Sequence, residues 1–252
     1  MGYRARFATA AMIGLTLAVG SAFVAPAAQA SARATPATQA VMHGAEEGEA
    51  GPDPRPYVPT SATADEVAAI EQFMTAVLTD VDEFWNAQLN PAGYQIDAIY
   101  EWLDPSEAGL ATGCGPIDDV LYTAAYCPAD DLIIMSDLFG LGMARTFGPV
   151  STAIVLAHEY AHNVQNDVLG SGEGHAVADW ELQADCLAGH WALDAYHRGL
   201  LSAEEVQAAR TFVHWTGDDD FDSPGHHGTP DQRVGAFDHG YTGNWCPTSG
   251  LR

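Results

Sequence analysis

His158 and His162 lie four residues apart, with Glu159 directly after the first, in the stretch VLAHEYAHNVQ at residues 155–165. On a helix such histidines stand one turn apart on the same face, about 6 Å between equivalent atoms, so both imidazoles can reach one ion at roughly 2.1 Å. Zinc suits that donor type. Glu159, beside them and angled toward the open side, is placed to accept a proton from a zinc-bound water without itself being a ligand, the arrangement of metal-assisted peptide hydrolysis.

A catalytic zinc usually takes three protein ligands and leaves its fourth position to water. The metzincin pattern needs Gly at 165 and His at 168, and the chain has Gln165 and Val168. The segment WELQADCLAGHWA offers Glu181, 19 residues after His162, with Asp185 one turn further along the same face. Glu181 is the expected third ligand, and Asp185 is expected to accept a hydrogen bond from the distal nitrogen of a ligand histidine, fixing its tautomer. Were Glu181 not a ligand, His175 is the histidine nearest in sequence.

These side chains need helices to present them. The spacing predicts a helix from about 152 to 168, capped by Gly170, a second from about 179 to 196, and a third starting at Ser202 with Glu205 as a capping box. Upstream, Thr63 and Glu66 form another such box. Val67, Ile70, Phe73, Met74, Val77, Leu78, Val81 and Phe84 then recur at helical spacing until Asn90-Pro91, which reads as core. DLIIM at 131–135 is the one good strand, expected at a sheet edge beside the cleft, where it could hold an extended substrate. From Gly217 onward, Gly, Asp, Pro and His dominate, so that part is expected to be mostly loop.

The N-terminus reads as an export signal over residues 1–30: Arg4 and Arg6, an apolar run from Phe7 to Val24, then Ala28-Gln29-Ala30 as a cleavage pattern. That pattern and the Ala-rich run favour removal over retention as a membrane anchor. Residues 31–62 lack apolar periodicity and read as a flexible linker or short pro-region, leaving 63–252 as the metallopeptidase domain. Four cysteines behind an export signal suit two disulfides. Of three possible pairings, Cys114 with Cys127 and Cys186 with Cys246 is expected. All nine basic residues are arginine, and with the two in the signal removed seven remain against 34 acidic residues, a formal charge of −27. Such a chain repels nucleic acid and anionic membranes.

VLAHEYAHNVQ, ELQADCLAG, GDD at 217–219 and HGTPDQRV at 227–234 together resemble the bacterial neutral zinc metallopeptidase family, as do CG at 114, YCPADD at 126–131 and DVDEFW in the first helix. The resemblance covers about residues 65–246. It implies His158, His162 and Glu181 as zinc ligands in the gluzincin manner, Glu159 as general base and acid, and Asp185 behind the ligands. Pro230 and Asp231 stand where Ser and Glu are expected, and His190 where an apolar residue is usual.

Peptide hydrolysis builds negative charge on the former carbonyl oxygen, and a donor aimed there is worth several kcal/mol. His227 is the candidate, with Arg233 to hold its loop or meet a carboxylate. Asp218, Asp219, Asp220 and Asp222 lack EF-hand order, so a solvated acidic loop is expected rather than a calcium site. The expected fold is α+β, a mainly helical zincin-like domain with a small sheet beside the cleft. The expected function is an exported, secreted zinc endopeptidase acting on peptides or proteins. Its rivals are a non-catalytic zinc-binding module and a zinc hydrolase of another substrate.

Overall fold

The computed structural model describes residues 58–104, 109–117, 119–170, 176–222 and 226–247. The expected signal and almost all of the expected linker lie outside these, and Val58 and Pro59, at the linker's end, are buried. Thr63 caps helix α1 (Ala64–Leu89): its hydroxyl accepts from the Glu66 N–H while the Glu66 carboxylate accepts from the Thr63 N–H. The apolar stripe then buries Ile70, Met74, Val77, Leu78 and Val81, joined by Trp85. Pro91 ends the helix in a single 3-10 turn over Asn90–Ala92.

The sheet has strand order β1 (Ile99–Leu103), β5 (Leu132–Ser136), β4 (Ala124–Cys127), with β1 parallel and β4 antiparallel to β5. Here one expectation is corrected. β5 is the strand read from DLIIM, but it is central and buried at every position, as a continuous apolar run without alternation demands. The edge is β4. A short hairpin, β2 (Leu110–Thr112) and β3 (Gly115–Ile117), precedes it, and the disulfide Cys114–Cys127 ties the hairpin turn to the end of β4.

Helix α2 (Asp137–Phe147), absent from the sequence reading, follows β5 directly, with the Ser136 hydroxyl accepting from the Phe139 N–H. Gly140 and Gly142 weaken its helical signature. Yet a Cβ on Gly140 would stand 2.9 Å from the Met74 sulfur, so glycine lets α2 lie against α1. Gly148 (φ 89°) turns the chain and Pro149 opens α3 (Pro149–Leu169), buried without a break from Val150 to Ala161. Its run Ala153–Ala157, apolar at every position, carries it through the interior, and the two histidines follow directly on the same helix.

α4 (Val177–His197) and α5 (Ala203–Trp215, with the Ser202/Glu205 box formed) come next. The described tail from Gly217 on is mostly loop, as expected, but it carries one helix that the spacing did not predict, α6 (Pro230–Tyr241), with Pro230 at its start and a Thr229/Gln232 capping box. It packs on α4 closely enough that a Cβ on Gly240 would fall 1.8 Å from the Cys186 carbonyl oxygen, and one on Gly189 2.2 Å from that of Phe237. Cys186–Cys246 fastens the segment after α6 to α4, and His190 hydrogen-bonds the Asn244 carbonyl. Both disulfides pair as expected. No helix among the described residues is long and apolar enough to cross a membrane.

Candidate metal centre

α3 and α4 face each other so that His158, His162 and Glu181 converge, each offering one ligand atom within 4.8 Å of the others. His158 Nε2 lies 3.2 Å from His162 Nε2 and 3.1 Å from Glu181 Oε2, and His162 Nε2 lies 3.4 Å from Glu181 Oε1. Bonds of about 2.1 Å at tetrahedral angles require ligand atoms about 3.4 Å apart, so the nitrogen–nitrogen–oxygen set fits zinc. Glu159 is buried beside the group and lines the same cleft of about 370 Å³. Among the described residues none donates a hydrogen bond to its carboxylate.

Each histidine is held from behind. His158 Nδ1 donates to Asp185 Oδ1 at 2.9 Å, leaving Nε2 for the ion. Asp185 in turn meets Arg233, whose Nε and Nη2 donate to its two oxygens at 2.7 and 2.9 Å. Arg233 thus meets a carboxylate, and its Nη1 also donates to the Thr216 carbonyl at 3.3 Å, where the loop after α5 begins; the close α4–α6 packing at Gly240 and Gly189 brings it there. On the other side His162 Nδ1 donates to Gln165 Oε1 at 2.8 Å. Sequence reasoning weighed Gln165 only as a missing glycine, although its position three residues after His162 places it on the same face.

Electrostatics follow from burial against pairing. Burial disfavours a charged His158 ring, but the hydrogen bond and charge of Asp185, then those of Glu181, outweigh it and push its pKa up to about 10. Burial alone would raise the Glu181 carboxyl, but hydrogen bonds from His158 and His162 hold it well below the ordinary value. Asp185 is also buried, and chiefly Arg233 keeps it low. The site gathers negative charge around ring nitrogens, which is what a divalent cation needs.

His227 lines the cleft but its ring is half-exposed, 3.7 Å from Asp218. Its position is set by its backbone: the His227 N–H donates to Asp218 Oδ2 at 3.0 Å, and His226 Nδ1 donates to Oδ1 at 2.6 Å. Burial raises the Asp218 carboxyl, but the His226 bond, those from the His227 and Asp220 N–H groups and the charge of His226 together outweigh it, so its pKa falls to about 2. Asp218 is thus engaged by N–H donors and ties the start of the α5–α6 connection to its end. His175 lies outside the described residues.

The cleft's remaining walls are Val155 from α3, Phe212 and Val213 from α5, Phe139 from α2 and the edge strand β4. Fold and site together define a mainly helical zincin-type protein, with an i, i+4 histidine pair on one helix and a glutamate on the next. The family model described as "Putative neutral zinc metallopeptidase" matches residues 37–248, and the chain belongs to that family. It is similar to an uncharacterized protein of Mycobacterium tuberculosis (strain H37Rv), 32% identical over 134 residues, 45% of each chain. It is also similar to the uncharacterized protein YpfJ of Escherichia coli K12, 26% identical over 209 residues, 72% of this chain and 70% of that one. The match thus spans about half the length of the mycobacterial relative. No solved structure matches the chain.

Proposed function

We propose that this chain is an exported zinc-dependent endopeptidase. The observation that carries the reading is Glu159: buried on the cleft wall beside the three converging ligand atoms, it adds nothing that metal binding needs. His158, His162 and Glu181 hold the ion. Zinc, when bound, supplies the acidity that makes water a nucleophile near neutral pH and polarises the scissile carbonyl. Glu159 accepts the proton of the attacking water and passes it to the leaving amine as the C–N bond breaks. The outer edge of β4, where Ala124, Ala125 and Tyr126 line the cleft, holds an extended peptide by backbone hydrogen bonds. His227, which also lines the cleft, donates to the oxyanion. The two disulfides and the N-terminal signal pattern support export.

The test is to incubate the purified mature chain with a mixed peptide library, then add a zinc chelator, then restore zinc. Cleavage that chelator abolishes and zinc restores supports the reading. A chain that binds zinc and cleaves no peptide is a binding module or a hydrolase of another substrate.

A further inference from the structure

The amide of Gln165 is buried, so each of its polar atoms must find a partner. Its oxygen faces His162 Nδ1 at 2.8 Å, and its nitrogen faces two acceptors, the Trp180 carbonyl at 2.8 Å and Gln183 Oε1 at 2.9 Å. Gln183, also buried, turns its own nitrogen to the Cys246 carbonyl at 3.1 Å. The chain of bonds runs from the second disulfide, through two glutamines, to a ligand ring.

Its direction is fixed by chemistry. A backbone carbonyl only accepts, so the Cys246 carbonyl forces the Gln183 amide to present NH₂ to it and oxygen to Gln165. The Trp180 carbonyl does the same for Gln165, and a reversed Gln165 amide would set oxygen against both the Trp180 carbonyl and Gln183 Oε1. Gln165 therefore shows oxygen, never N–H, to the imidazole. A neutral imidazole carries one ring proton, and only Nδ1–H satisfies that oxygen, which leaves the Nε2 lone pair directed at Glu181 and His158.

We propose that Gln165 and Gln183 are positioning residues that set the tautomer and orientation of His162 for metal binding, with the Cys246 carbonyl as the fixed end of the relay. The inference rests on the reading of His158, His162 and Glu181 as a zinc site. The two histidines are supported differently: His158 by a carboxylate neutralised by Arg233, His162 by an uncharged amide. Neither support therefore adds an unpaired negative charge behind the ligand rings. Trp180 directly precedes Glu181, so the relay also links His162 on α3 to the turn of α4 that carries the third ligand.

The experiment measures zinc affinity of the full secreted chain, disulfides intact, by competition with a chromophoric chelator. Gln165→Met keeps the length of the side chain without its hydrogen bonds, and is expected to weaken zinc binding about 10–100-fold with an unchanged far-ultraviolet spectrum. Gln183→Met leaves the Gln165 bonds to His162 and Trp180 and should weaken binding by less, about three- to tenfold. The double variant should be no weaker than Gln165→Met alone, because Gln183 reaches the ion only through Gln165. In ¹⁵N spectra of the zinc-loaded protein, the His162 ring proton should sit on Nδ1 and exchange slowly, and Gln165→Met should make that exchange fast. Gln165→Met binding zinc within twofold of the parent, or a double variant whose losses simply add, overturns the relay. Where Gln165→Met fails to fold, unchanged affinity in Gln183→Met overturns it. A parent that binds no zinc refutes the metal site itself, an outcome distinct from both.

Discussion

Asp185→Ala removes at one position two functions that can be measured apart. Asp185 is buried, accepts two bonds from Arg233 at 2.7 and 2.9 Å and one from His158 at 2.9 Å. Truncation leaves the buried Arg233 guanidinium with the Thr216 carbonyl at 3.3 Å and the more distant Glu181 carboxylate at 3.9 Å, and breaking one side of such a buried pair costs about 3–5 kcal/mol. For a domain of this size that is a fall of about 6–20 °C in melting temperature. Zinc affinity should also fall, about 10–100-fold, because the His158 ring loses the acceptor that fixes its tautomer. Adding Arg233→Met separates the two effects. An apolar pair in place of the ion pair should bring the melting temperature most of the way back, whereas zinc affinity should stay low. Thermal unfolding in the presence of chelator, with zinc competition on the same samples, reads both quantities. Affinity that recovers with stability in the double variant would show that Asp185 acts through packing alone. A melting temperature unmoved by Asp185→Ala would refute the charge argument.

Three further outcomes are expected. Non-reducing peptide mapping should recover Cys114 with Cys127 and Cys186 with Cys246, and replacing the second pair by alanine should cost about 4 kcal/mol through its 60-residue separation; an unchanged melting temperature would contradict this. His227→Ala should lower kcat by about 10² or more with zinc content unchanged, and unaltered kcat would make it an ordinary loop histidine. Zinc uptake should release a proton and weaken as pH is lowered, because the metal-free site holds a proton on His158, whose pKa is raised to about 10. The same shift stabilises the metal-free fold fully below the free imidazole value of about 6.5, a contribution lost as pH rises through about 10. Calorimetry in buffers of different ionisation enthalpy counts the proton, and a count of zero would contradict the assignment.

Local signals made part of this molecule legible in its sequence. The His158 to His162 spacing, the Glu181 to Asp185 spacing and the Thr63 and Ser202 capping boxes are each complete within one or two helical turns, so they need no tertiary information. What depends on distant partners was not legible. β5 lies at the centre because IYEWL, some 30 residues earlier, pairs parallel with it. α6 buries Arg233, Ala236, Phe237 and Gly240, a stripe containing a charge and a glycine, which exists only because α4 supplies Asp185 and a close backbone. Gln165 and Gln183 look like ordinary polar helix residues until the Trp180 and Cys246 carbonyls are placed against them.

The central claim is that Glu159 serves the reaction and not the metal. Glu159→Gln leaves His158, His162 and Glu181 in place but cannot take the water's proton. Zinc content and peptide turnover, measured together on this variant and its parent, decide the matter. Zinc near one equivalent with turnover lower by about 10² or more is the expected result. A Glu159→Gln protein that hydrolyses peptides at the parent's rate would contradict it.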